Sequence, residues 1–416
     1  MKKILIISYY WPPSGGAGVQ RWLKFAKYLP ESGFKPIVLT VDEKYASYPQ
    51  RDESLLEEAS SIETHKTKTF ELYSLYSSMK KDKQIPYGGF SNEAEPNLVQ
   101  KIARAARGNL FIPDPRKGWN KYAIAKAEKL IKEHNIEVII TTSPPHSTQL
   151  IGLELKKKFN SLFWIADLRD PWTDIYFYDK FYPSKIARKI DSSYEKDVIT
   201  KSDKVITVSE SIKQILAKRY NAENKIEVLA NGFDETDFGA ELFKDIKRNT
   251  EIVYTGTLTN DYPLNEVINI AKNNPEIIFR FIGNSPIDFI KTLKKENLSD
   301  RFIFEKSIPH SEITKRMIDA GILLLLIPKV PQNEGILTGK LFEYIGSRTP
   351  ILAIGPDNSD AGKIIDKTAS GLFFTYEESA KIDNSIITKL YSMQSNNEYK
   401  NYSRRNLTKQ LVKLIM

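Results

Sequence analysis

The run Gly321-Ile-Leu-Leu-Leu-Leu-Ile327 leads through a short loop into Thr338-Gly339-Lys340-Leu341-Phe342-Glu343-Tyr344-Ile345-Gly346. An apolar run without alternation reads as a strand buried on both faces, as in a parallel sheet. The second stretch reads as a helix opened by a small flexible pair, a cation and a carboxylate. Helix starts carry N–H groups without intrahelical partners, and a lysine beside them makes a ready anion site. Glu343, one turn on, can accept hydrogen bonds from two vicinal hydroxyls such as a ribose presents. Phosphate plus ribose on one helix points to a nucleoside diphosphate. A capped amphipathic helix with Lys340 and Glu343 as a surface pair accounts for the same residues, and both readings stay open here.

The same alternation repeats outward along the chain. In the first half, strands are expected at 3–8, 36–40, 138–141, 163–167, 204–208 and near 225–229. Helices are expected between them at 19–29, 122–134, 147–158, 185–201 and 209–219, with Ser209 as an N-cap. Around Asn231-Gly232-Phe233-Asp234 to Asn249 the pattern weakens into turns and charge, which suits an inter-domain connection. A second series of strands follows at 251–255, 277–282, 301–304, 322–327, 351–354 and 371–374. The fold class is therefore α/β, with two Rossmann-like doubly wound parallel sheets in tandem. Ligands bind off the carboxyl ends of such strands, here expected to face each other across a cleft. The expected domains are 1–240, with an insertion at about 60–107, and 241–395. A C-terminal helix in 396–416 is expected to pack back on the first domain.

At 416 residues the chain is long enough for two full cores. With no cysteine, disulfides and thiolate metal sites are excluded, and a reducing, cytoplasmic setting fits. The four histidines (His65, His134, His146, His310) show no metal-ligand spacing, which argues against a zinc enzyme. The N-terminal run Lys2-Lys3-Ile4-Leu5-Ile6-Ile7 is too short for a signal peptide and reads as a first buried strand. The net charge of +9 is spread over many segments, so a solvated surface is the default reading. Contact with an anionic membrane surface is the secondary one.

Several loops after strands carry site chemistry. Pro12-Pro13-Ser14-Gly15-Gly16-Ala17-Gly18 lets backbone approach a ligand. A dinucleotide fingerprint there would need a small residue where Arg21 stands, which argues against NAD. Asp167-Leu168-Arg169-Asp170-Pro171-Trp172 offers charges to orient sugar hydroxyls and an indole face for stacking, or an Asp–Arg pair that simply holds a loop. His146 is a candidate acid–base group on the acceptor side, or equally a residue that caps the following helix or holds the loop. Gly256 and Gly283 each follow a strand and would let a nucleotide lie against backbone, and the segment around Ile308 would meet the base through main-chain groups.

Taken together, these residues resemble the retaining glycosyltransferases of family 4, which have the two-Rossmann GT-B fold. The resemblance rests on the Gly15-Gly16 loop, the Asn231-Gly232-Phe233-Asp234 connection, Thr255-Gly256-Thr257-Leu258 and the Lys340–Tyr344 helix. Phe111-Ile-Pro-Asp-Pro-Arg116-Lys-Gly-Trp119 and Asp167–Trp172 are similar to a bacterial subgroup associated with surface polysaccharides. The resemblance implies a nucleotide-sugar-binding second domain and an acceptor-side first domain. Glu343 would bind the donor ribose, and Lys340 with the amides of Thr338 and Gly339 the diphosphate. Gly15 and Gly16 would approach the donor from the facing domain. The family's paired glutamates have seven residues between them, whereas Glu334 and Glu343 have eight and Gly335 holds the in-register position. Its His-Asp pair is absent, and Arg169-Asp170 stands in that region.

The implied reaction moves a sugar from a nucleotide-diphosphate donor to a glycan or lipid-linked acceptor with retention. It uses no metal or cofactor and no nucleic acid, and is expected in the cytoplasm at the inner face of the cell membrane. A hydrolysing nucleotide-sugar epimerase and a non-catalytic nucleotide-sugar or glycan binder are the alternatives.

Overall fold

The computed structural model describes residues 1–70, 96–244, 246 and 248–416. Two compact units emerge, one of Met1–Ala230 with Leu407–Met416, the other of Asn231–Asn406.

In the first unit the strands are β1 (Lys2–Ile7), β2 (Phe34–Val41), β3 (Glu63–Thr67), β4 (Val138–Ser143), β5 (Phe163–Leu168), β6 (Lys204–Thr207) and β7 (Ile226–Val228). They form a seven-stranded parallel sheet in the order β3-β2-β1-β4-β5-β6-β7. Its helices are α1 (Ala17–Tyr28), α2 (Leu55–Ala59), α3 (Leu98–Leu110), α4 (Asn120–His134), α5 (Ser147–Lys158), α6 (Lys185–Lys201) and α7 (Glu210–Tyr220). The second unit holds β8 (Ile252–Thr255), β9 (Phe279–Ile282), β10 (Phe302–Glu305), β11 (Ile322–Leu326), β12 (Ile351–Gly355) and β13 (Gly371–Thr375). These run parallel in the order β10-β9-β8-β11-β12-β13. Around them lie α8 (Leu264–Asn273), α9 (Ile287–Lys295), α10 (His310–Asp319), α11 (Gly339–Ser347), α12 (Asp360–Thr368) and α13 (Asn384–Tyr391), and α14 (Arg404–Lys413) ends the chain.

The apolar runs became strands because both faces of each sheet are covered. Leu5, Ile7, Leu39, Ile139 and Trp164 sit in one core, and Phe279, Phe281, Leu324 and Leu352 in the other. Local chemistry sets the helix ends. The Ser209 hydroxyl accepts from the Ile212 amide at the start of α7, and Asn135 and Asn221 take left-handed conformations after α4 and α7.

The chain reverses its direction of growth between β1 and β4 in one sheet and between β8 and β11 in the other. Loops leaving those four strands are where ligands gather in doubly wound sheets. One strand departs from expectation. β3 lies inside the anticipated 60–107 insertion, yet it pairs with β2 as the sheet's edge. Its sequence, Glu63-Thr-His-Lys-Thr67, is polar because an edge strand keeps one side open to solvent. The rest of that insertion is α3 and residues 71–95, and the latter lie outside the described residues. The chain passes between units at Ala230–Asn231, against an expected boundary after residue 240, and rejoins the first unit at Leu407, against a tail expected from 396.

Candidate functional site

In the second unit the start of α11 stands beside the end of β8. The Tyr344 hydroxyl holds the two together, 3.0 Å from the Thr255 amide, which donates to it, and 3.1 Å from the Thr255 hydroxyl. This places Lys340 over the loop that leaves β8. Its ammonium lies 5.2 Å from the centre of the Tyr254 ring, and its stem runs against Gly256. A Cβ on Gly256 would come within 2.6 Å of Lys340 Cε, and the residue has φ of +106°. Gly283, at φ of +130°, packs under it so closely that a Cβ would collide with the Gly256 carbonyl oxygen. Both glycines thus build the floor on which the lysine rests. The N-cap residue of α11, Thr338, makes no side-chain capping bond, and its Oγ1 is buried without a partner. The first amides of α11 therefore keep their donors and the positive end of the helix dipole.

The two charged groups of this helix are not a surface pair. No ion pair joins Lys340 to Glu343, and neither side chain has another salt bridge or hydrogen bond among the described residues. Burial holds the Lys340 ammonium below its usual pKa, with Glu343 opposing. Burial likewise pushes the Glu343 carboxyl above its usual range; His310 lowers it, Asp237 raises it, and Lys340 and Arg404 lower it. A cation and a carboxylate, both desolvated and neither neutralised by contact, are costly to fold and suited to a ligand that carries an anion and hydroxyls.

A stability consequence follows for Glu343. A raised carboxyl pKa gives stability that is present at low pH and lost as pH rises through the folded-state value. Glu343→Gln is therefore expected to gain on the wild type as pH increases from acid to neutral. Urea midpoints of both proteins across that range check it, and parallel curves would contradict it.

The remaining expected residues of this unit are dispersed. Glu334 is exposed on a one-turn 3-10 helix, Asn333–Gly335, and forms no hydrogen bond or ion pair among the described residues. The neighbouring Asn333 anchors that turn instead, donating to the Pro328 carbonyl at 2.8 Å and to Tyr376 at 2.9 Å. Ile308 is half-buried in the segment between β10 and α10. His310 is the first residue of α10. Its Nε2 lies 3.3 Å from Asp237, and its proximity lowers the Glu343 pKa against the effect of burial. No spacing in the sequence signals this meeting, because three separate elements supply the residues.

In the first unit, Gly15 and Gly16 stand in the loop after β1, and Gly16, at φ of +103°, is the N-cap residue of α1. Gly15 donates its amide to the Gln50 carbonyl at 3.0 Å, which ties the loop to the segment after β2. Arg169 and Asp170 pair at 2.9 Å, and the Arg169 guanidinium lies so close to Gly18 that any Cβ there would strike its Nη1. Gly18 is thus the seat of Arg169.

Two expectations for the neighbouring residues are corrected. Asp167 does not face a sugar: with Arg21 it is fully buried, and its carboxylate accepts from Arg21 (3.1 Å), Trp22 (2.6 Å) and Thr142 (2.7 Å). Arg21 also donates to the Ala230 carbonyl at 2.9 Å, so a structural cation fills the place where a dinucleotide fold needs a small residue. Trp172 is 2 % exposed and donates to Asp191 at 2.7 Å, so the indole is not an open stacking platform. His146 stacks on it at 4.7 Å and 12°. Burial lowers the His146 pKa to about 4, so the ring is neutral at pH 7 and can accept a proton but not donate one as imidazolium.

Residues 87–237 match the model of Glycosyltransferase Family 4. The whole chain is similar to HepE from Anabaena, solved in complex with UDP, at 14% identity, covering 100% of this chain and 99% of that one with a TM-score of 0.65. The fold is GT-B. It is shared with the lipopolysaccharide outer core galactosyltransferase WaaB (12% identity, 99% of each chain, TM-score 0.59). It is shared also with sucrose-phosphate synthase from Thermosynechococcus elongatus (12% identity, 100% and 95% covered, TM-score 0.58). At these identities the likeness is one of fold. No curated protein matches the sequence.

Proposed function

We propose that this protein transfers a sugar from a nucleoside-diphosphate sugar to a glycan or lipid-linked acceptor, with retention at the anomeric carbon. The observation that carries the proposal is the start of α11, where a desolvated Lys340 without a carboxylate partner, uncapped amides and Glu343 share one helix turn at the switch point of the sheet. Lys340 with the amides of Thr338, Gly339 and the helix start binds the diphosphate, and Glu343 accepts the ribose hydroxyls. Gly256 and Gly283 hold the lysine in place, and the chain around Ile308 meets the base.

The barrier is charge separation between an oxocarbenium-like sugar and a departing diphosphate. Fixed donors aimed at the phosphates stabilise the second of these, and being preorganised they need no rearrangement as the bond breaks. The departing phosphate takes the acceptor's proton, so neither a protein base nor a metal is required. Glu334 addresses the transferred sugar, and Arg169 with Asp170 orients the acceptor. The solved complexes of HepE with UDP, and with UDP-glucose, make UDP the first nucleotide to try. WaaB is a lipopolysaccharide outer core galactosyltransferase, and the shared fold supports a polysaccharide role.

The test is a thermal-shift panel of UDP, GDP, ADP, dTDP and NAD, run on the wild type and on Glu343→Ala. A ligand at 100 times its Kd stabilises by about 2.7 kcal/mol. One diphosphate is expected to stabilise the wild type and not the variant, whereas stabilisation by NAD alone overturns the reading. Turnover of the matching nucleotide sugar, with product analysis, then separates transfer from epimerisation and from binding alone.

The acceptor side carries a second feature. α3 presents Leu98, Val99, Ile102 and Leu110 to solvent, Leu98 being 73% exposed, beside Lys101. Asn109 joins it to Tyr182 and Ser184, just before α6, and at the start of that helix Ile186 is 74% exposed beside Lys185 and Lys189. Exposed aliphatic residues interleaved with lysine fit an anionic lipid surface. No described helix is long and apolar enough to cross a membrane. We propose peripheral contact through this face. Flotation with anionic vesicles is expected at low salt and to be reduced at high salt, and absence of binding at low salt contradicts it.

A further inference from the structure

Glu63 and His65 are two residues apart on β3, so their side chains leave the same face of the edge strand. His134, the last residue of α4, meets them there. One ligand atom from each of the three lies within 4.8 Å of the others. His65 Nε2 is 3.1 Å from Glu63 Oε1, and His134 Nε2 is 3.6 Å from that same oxygen. Around a tetrahedral zinc ion, with bonds of about 2.0–2.2 Å, neighbouring ligand atoms sit about 3.2–3.6 Å apart. The three groups are half-buried, which leaves room for water as a further ligand. The second Glu63 oxygen is held by Lys35 at 2.7 Å, and this fixes the carboxylate with Oε1 between the two rings.

The geometry points to a site for a divalent transition metal such as zinc, formed by Glu63, His65 and His134. Imidazole and carboxylate ligands suit that class of ion. Lys3 and Lys35 flank the cluster from the beginnings of β1 and β2, so the site is at the end of the sheet opposite the ligand-bearing loops. A metal here ties the edge strand β3 to α4 and takes no part in sugar transfer. Lys3 competes with it. Its ammonium lies 3.3 Å from His134 Nδ1 and donates to that nitrogen, which leaves the ring proton on Nε2. A metal on Nε2 requires the proton on Nδ1, and Lys3 then turns aside.

The experiment is calorimetric titration of the chelator-treated full chain with Zn2+, followed by Co2+ titration read by visible absorption. One equivalent should bind, raise Tm and give the absorption of tetrahedral Co2+. His65→Gln and His134→Gln should each weaken binding by at least about a hundredfold, since even an outer partner is worth 10–100-fold. Lys3→Ala should bind as tightly as the wild type or more tightly. Circular dichroism establishes that each variant is folded. No binding, binding unchanged in both histidine variants, or loss of binding in Lys3→Ala overturns the assignment.

Discussion

Lys340→Met is expected to lower turnover of the nucleotide sugar by about 10²–10³-fold, the usual cost of removing one preorganised donor from a developing anion. Methionine keeps much of the stem that rests on Gly256 and Tyr254, so the loss reports the charge and not the packing. The expectation rests on the desolvation of this ammonium and on the absence of an ion-pair partner among the described residues. A fully solvated surface lysine would cost little, because water replaces its interactions. Folded stability should hold or rise in the variant, since a half-buried cation without an ion-pair partner is removed. Steady-state release of nucleoside diphosphate measures the effect, and a loss of less than threefold would place the diphosphate elsewhere.

Asp167→Ala should destabilise the first unit by about 3–5 kcal/mol, the penalty for leaving one partner of a buried ion pair uncompensated. Arg21 and Asp167 are both fully buried, and the same carboxylate takes hydrogen bonds from Trp22 and Thr142. Removing it orphans three donors at once. Asp170→Asn, three residues on, breaks a pair whose side chains are 21% and 35% exposed and should cost about 0–1 kcal/mol. Urea denaturation of the two variants side by side gives the comparison. If they lose equal stability, Asp167 is not the keystone that its contacts imply.

The contrast between those two aspartates marks what a linear sequence carries. Strand ends were legible, because the apolar runs from Ile4 to Leu352 fill sheets covered on both faces, and so was Ser209 as a cap. β3 was not, since an edge strand needs no apolar run. Asp167 and Asp170 stand in one charged motif, and only the packing of Arg21 from α1 assigns the first to structure. Gly256 and Gly283 were legible as glycines after strands. Their reason, positive φ and close contact with a lysine far along the chain, depends on how α11 docks on β8. Lys340 and Glu343 were legible as a pair on one helix, but desolvation and the lack of mutual contact were not. His310 reaches the site from another element, and no local pattern records that.

The most direct measurement is a crystal structure of the protein with whichever nucleoside diphosphate stabilises it. The account predicts phosphate oxygens within hydrogen-bond distance of Lys340 Nζ and the first amides of α11, and both ribose hydroxyls on the Glu343 carboxylate. A nucleotide bound elsewhere, with Lys340 and Glu343 untouched, would contradict it.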